Sequence, residues 1–118
     1  MTTPRLAYLA KILEDRCGVI GKVASRYVKA GYSVELNHPT RHGAIEILAR
    51  GNKGEVLAIE VVDSKKDLSI SSVEKFLEKS KLIRAKPILV IYGGVELPED
   101  VYKFCKEKGV KIRRFRAE

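Results

Sequence analysis

Glu55–Asp63, EVLAIEVVD, decides the fold. It is an apolar run around one interior acid, Glu60, short and rich in β-branched residues, and it reads as a central strand. A shorter run of the same kind, AIEIL at Ala44–Leu48, precedes it across the turn Arg50–Gly54. Each run carries one carboxylate, Glu46 or Glu60, where period-two alternation sets sequence neighbours above and below a sheet.

Moving outward, Thr40-Arg41-His42-Gly43 leads into the strand Ala44–Arg50, and Gly51-Asn52-Lys53-Gly54 reads as a hairpin loop. Tyr32–Leu36 is a further short strand, closed by Asn37-His38-Pro39 because the residue before proline avoids helix. The three strands from Tyr32 to Val62 form an antiparallel meander. Upstream, Ile20, Val23, Ala24 and Tyr27 repeat at helical spacing over about Val19–Ala30, with Gly31 as the left-handed stop. Lys22, Arg26 and Lys29 lie off that stripe. Thr3-Pro4 begins an earlier helix with the stripe Leu6, Leu9, Ala10 and Leu13, broken at Arg16–Gly18.

Downstream of the polar loop Asp63–Asp67, Ser71 and Glu74 read as a capping box. The helix they open turns Val73, Phe76, Leu77 and Ile83 inward. Pro87–Tyr92 is a strand that a crossover helix lays parallel to its partner. Pro98 opens a last helix, with Val101, Phe104 and Cys105 inward and Gly109 as its stop. Val110–Phe115 is a final strand, in which Arg114 falls on the face of Val110 and Ile112. The order α-α-β-β-β-α-β-α-β predicts an α/β (mixed α+β) fold, a central mixed sheet flanked by helices. It forms a single domain, 1–118, with an N-terminal helix at 1–17 and a core at 18–118.

A chain of 118 residues suffices for one core without staples. Its 23 basic against 15 acidic residues give a formal charge of +8. That excess favours polyanions through counterion release, with nucleic acid the leading class; a Lys- and Glu-rich surface kept for stability alone is the competing explanation. Cys17 and Cys105 lack metal-ligand spacing and read as reduced, packed thiols. No signal peptide and no membrane-length apolar run is present, so a cytoplasmic protein without membrane contact is expected.

An acid on one strand, an acid on the next and a lysine two residues beyond it form the core of the PD-(D/E)xK nucleases. Two carboxylates hold Mg²⁺, and the lysine helps to activate water. Glu46 and Glu60 stand in the acid positions, but Val62 stands in the lysine position. Lys65 and Lys66 could substitute only if their loop folds back. The alternatives are a metal site at Glu46 and Glu60, in a Mg²⁺-dependent DNA nuclease resembling archaeal Holliday-junction resolvases, or two strand acids with ordinary polar roles. His38 and His42 share one loop and support no nucleophilic triad, and Tyr92-Gly93-Gly94 opens no phosphate-binding helix.

The stretches ASRYVKAGYSVELNHPTRHGAIEIL and GEVLAIEVVDSKKDLSISSVEKFLEKSKLIRAKPILVIYGG resemble the C-terminal domain of archaeal tRNA-splicing endonucleases. Tyr27 with Gly31-Tyr32, then Gly43, Ala44 and Glu46, then Glu60-Val61-Val62-Asp63 carry the likeness, which covers about Val19–Tyr92. It implies a restriction-endonuclease-like fold and metal-independent RNA cleavage by a tyrosine, a histidine and a lysine, with no cofactor. Those positions fall on His42, on Gly54 or Glu55, and on Ala85 or Lys86. The implied protein is a catalytically inactive structural subunit, held in a hetero-oligomer (a heterotetramer by family precedent) with a catalytic endonuclease subunit on precursor tRNA. Arg41, Arg84 and Lys86 would contact RNA. Val110, Ile112 and Phe115 of the last strand, with the acidic segment Glu96, Glu99 and Asp100, would form the subunit interface.

Overall fold

The computed structural model describes residues 4–16, 18–63 and 68–116, apart from the side chains of residues 6 and 12–16. The order is α1 (Pro4–Arg16), α2 (Gly18–Lys29), β1 (Ser33–His38), β2 (Ile45–Arg50), β3 (Val56–Val62), α3 (Ile70–Leu82), β4 (Lys86–Tyr92), α4 (Glu99–Lys108) and β5 (Lys111–Phe115). Of the α1 stripe, Ala10 is buried as expected but Leu9 is 42% exposed; Thr3, Leu6, Leu13, Cys17, Lys65 and Lys66 lie outside the described residues or side chains.

The strands form one sheet in the order β1-β2-β3-β4-β5. β1, β2 and β3 pair antiparallel, while β3–β4 and β4–β5 are parallel. The expected meander and the parallel crossover through α3 are both present, and a second crossover through α4 adds β5. Each face of the sheet carries its own core. On one, Val23, Ala24 and Tyr27 of α2 meet Ile47, Ile59 and Val90. On the other, Val73, Phe76 and Leu77 of α3 and Val101 and Cys105 of α4 meet Ala58, Val62 and Leu89. Burial on both faces explains why β3 and β4 read as continuous apolar runs.

α3 begins earlier than Ser71 and Glu74 suggest. Ser69 is the N-cap, its Oγ accepting from the Ser72 N–H while Ser72 Oγ accepts from the Ser69 N–H. A serine hydroxyl thus fills the third helical position that the usual box gives to Glu or Gln. Glu74 is left exposed on the helix. At the other end of the chain Gly109 takes the left-handed conformation, φ 77°, and its N–H closes α4 on the Cys105 carbonyl.

Cys105 is fully buried, and burial raises its thiol above the usual range. Its alkylation should therefore require opening of the fold. With a typical domain stability of about 5 kcal/mol or more, labelling of the Cys105 peptide in the native protein should run on the order of 10³-fold slower than in urea. Mass spectrometry of timed aliquots measures this.

Candidate acid-pair site

The β2–β3 register pairs Ile47 with Ile59 and Leu48 with Ala58. One step further along the same ladder, Glu46 stands opposite Glu60. Because Ala58 and Val62 face α3, alternation puts Glu60 on that face, and Glu46 with it. Both acids are half-buried. Glu46 Oε1 accepts the Val61 N–H at 2.8 Å, which fixes one carboxylate oxygen against the neighbouring strand. The register thus sets two carboxylates side by side on one face of the sheet.

The donor set suits a small hard cation. Mg²⁺ is commonly held by one or two carboxylates, with water and substrate phosphate completing the shell. Among the described residues no group of three or more His, Cys, Asp or Glu side chains converges, so a metal here would rest on Glu46 and Glu60. Lys79 of α3 is tied to the entrance of β2: its Nζ donates to the Ala44 carbonyl at 3.0 Å. Nothing local in the sequence marks it, since it is 35 residues from its partner. The lysine position itself is closed. Val62 has no exposed surface and belongs to the α3-side core.

The positions suggested by the tRNA-endonuclease likeness do not converge. His42 and Arg41 lie in the β1–β2 loop, a turn held by Thr40 and Gly43. Gly54 is in the β2–β3 turn and Lys86 begins β4, at the opposite end of the sheet. The intervening strand β2 has six residues, which at about 3.3 Å each separates the two groups by roughly 20 Å. Arg84, at φ 53° just after α3, lies near Lys86 and far from Arg41. A shared site for His42, Gly54 and Lys86 is excluded by this topology. His38 pairs instead with Glu35, Nδ1 to Oε2 at 2.6 Å, and that hydrogen bond holds the Glu35 carboxyl below its usual value.

Of the interface candidates, Val110 is buried toward α3 and α4, Phe115 is buried on the opposite face, and Ile112 is half-buried. Their side chains complete the domain's own core. Glu96, Glu99 and Asp100 are exposed, with Glu99 and Asp100 in the first turn of α4, where acids oppose the helix dipole favourably. Glu99 also pairs with Lys103 at 3.3 Å.

No protein-family model matches the sequence, and no curated protein matches it. Solved structures do. A repair endonuclease from Pyrococcus abyssi superposes with a TM-score of 0.63 at 16% identity, over 95% of this chain and 47% of that one. EndoMS in complex with double-stranded DNA gives 0.62 at 15% identity, over 95% and 44%. EndoMS in its apo form gives 0.57 at 14% identity, over 100% and 49%. The chain spans about half the length of these structures, and the likeness establishes the fold: a nuclease-like mixed sheet flanked by helices. These neighbours are a repair endonuclease and EndoMS, the latter solved also on double-stranded DNA, and not tRNA-splicing endonucleases, which overturns the tRNA-splicing resemblance and, with it, the expected structural subunit, its catalytic endonuclease partner and precursor tRNA. The misleading signal is physical: an apolar strand ending in Val-Val-Asp, a polar loop and a helix are what any parallel crossover in such a sheet requires.

Proposed function

We propose that the chain is a DNA-directed nuclease module in which Glu46 and Glu60 hold a divalent cation against a phosphodiester. The observation that carries this is the ladder register, which sets the two carboxylates opposite each other on one face. The net charge of +8 supports a polyanionic substrate. The fold shared with repair endonucleases, one of them solved on double-stranded DNA, supports DNA over RNA. A bound Mg²⁺ would supply charge stabilisation at the phosphoryl oxygen and an acidified water.

The chain's own groups do the holding. The Val61 N–H orients Glu46, Glu60 is carried by the rigid central strand, and Lys79 ties α3 to the start of β2. Val62 neither accepts nor donates a proton, so cleavage by this site is slow, limited by the missing base. The test is incubation of the purified chain with mismatched, flapped and four-way-junction DNA in Mg²⁺, Mn²⁺ or EDTA. Cutting that requires the divalent ion is the expected result. No cutting of any of these DNAs at micromolar protein in Mn²⁺ would sink the nuclease assignment.

A further inference from the structure

The opposite face of the sheet carries a second feature that the acid pair does not use. α2 packs on this face, reaching Val90 of β4 and, through Tyr27, Phe115 of β5, while the beginnings of β4 and β5 carry exposed residues. Ile88, Val90 and Phe115 belong to the α2-side core, so alternation turns Lys86, Lys111 and Arg113 to the same side. All three are exposed. A sheet face destined for a helix would carry apolar residues there; this one carries a row of cations. Between that row and the C-terminal turn of α2 runs a groove of about 760 Å³, floored by Leu57 and Ile88. Among the described residues its one acid is Glu55, which accepts the Tyr32 hydroxyl at 3.3 Å.

Tyr27 lines the groove from α2. It is 4% exposed, wedged edge-on against Tyr32 and stacked on Phe115. Its hydroxyl has no hydrogen-bond partner among the described residues. That oxygen is itself shielded from solvent, so the ring forms the inner wall of the groove and its hydroxyl is out of reach of a bound ligand. The Arg113 guanidinium sits 5.6 Å from the centre of the Phe115 ring, which holds it beside the groove instead of in bulk solvent.

We propose that this groove binds the phosphodiester backbone of a single nucleic-acid strand, with Lys86, Lys111 and Arg113 on the phosphates. Phosphate oxygens are the anionic groups that a row of cations beside a groove recognises. A slot between a helix and a sheet admits one chain, whereas a duplex would touch only its rim. The site lies across the sheet from Glu46 and Glu60 and stands whether or not those acids support cleavage.

The test is fluorescence anisotropy of a labelled twelve-residue oligothymidylate in EDTA, where no metal-dependent cutting occurs. Duplex DNA, inorganic phosphate and thymidine monophosphate serve as competitors. The expected result is single-strand binding that Lys111→Glu with Arg113→Glu weakens at least tenfold. The same pair should reduce the salt slope by about 1.4, two contacts at about 0.7 each for single strands. Glu60→Gln should bind like the natural chain, which separates this site from the acid pair. Binding unaltered by the double charge reversal overturns the proposal. Competition by thymidine monophosphate at the oligomer's own affinity would make the groove a small-molecule site and equally overturn it.

Discussion

Val62→Lys should raise Mg²⁺-dependent DNA cleavage by about 10²-fold or more, the usual contribution of a positioned proton-transfer group. Glu60→Gln placed in the same chain should remove the gain. Residue 62 is on the strand that carries Glu60, two positions on and therefore on the same face, about 6.6 Å away along the strand. A lysine stem can span that distance, placing its ammonium beside the two carboxylates and next to the phosphodiester they would hold. The substitution also has a structural cost. Val62 has no exposed surface and packs in the core with Val73 and Leu89. Fitting a longer, charged side chain there should lower stability by about 1–3 kcal/mol from overpacking, partly offset by the adjacent acids. The measurement is single-turnover cleavage with a parallel thermal melt, so that rate is compared only where the variant is folded. A folded Val62→Lys protein no faster than the natural chain would show that the acid pair does not position a scissile phosphate.

The fold was more legible in the sequence than the site, for reasons visible in particular residues. The alternating and continuous apolar runs from Val56 to Val62 and from Pro87 to Tyr92 encode burial on both faces, and the helix between them encodes the parallel crossover. Those are local periodicities. The pairing of Glu46 with Glu60 was accessible too, because a short hairpin turn joins their strands and fixes the register. Long-range geometry was not. That His42 and Lys86 lie at opposite ends of the sheet follows only once the direction of every strand is known. Lys79 reaching Ala44 depends on how α3 crosses the sheet. The row formed by Lys86, Lys111 and Arg113 is a product of β5 docking parallel to β4, which no motif announces. The early start of α3 at Ser69 escaped because a serine replaces the expected Glu in the reciprocal cap.

Phe76→Ala should cost about 3–5 kcal/mol, the range for deleting a fully buried phenyl ring from a packed core. Phe76 is 1% exposed and is the largest fully buried side chain of the α3-side cluster, where it meets Ala58, Val62 and Leu89. The sheet beneath it is rigid and continuous, so the space left by the ring cannot close by strand movement, and the cavity term is retained in full. For a domain of this size each kcal/mol moves Tm by roughly 4 °C, which puts the expected drop at about 12–20 °C. Function should follow temperature. α3 roofs the face that bears Glu46 and Glu60, and its Lys79 anchor on Ala44 holds only while the helix is docked. Metal-dependent cleavage by Phe76→Ala should therefore persist at low temperature and vanish near its lowered Tm, while Lys75→Ala, on the exposed side of the same helix, should track the natural chain. Calorimetry and cleavage assays run across the same temperatures check both halves. A melting point within a few degrees of the natural protein would mean that α3 contributes far less to this core than its burial requires.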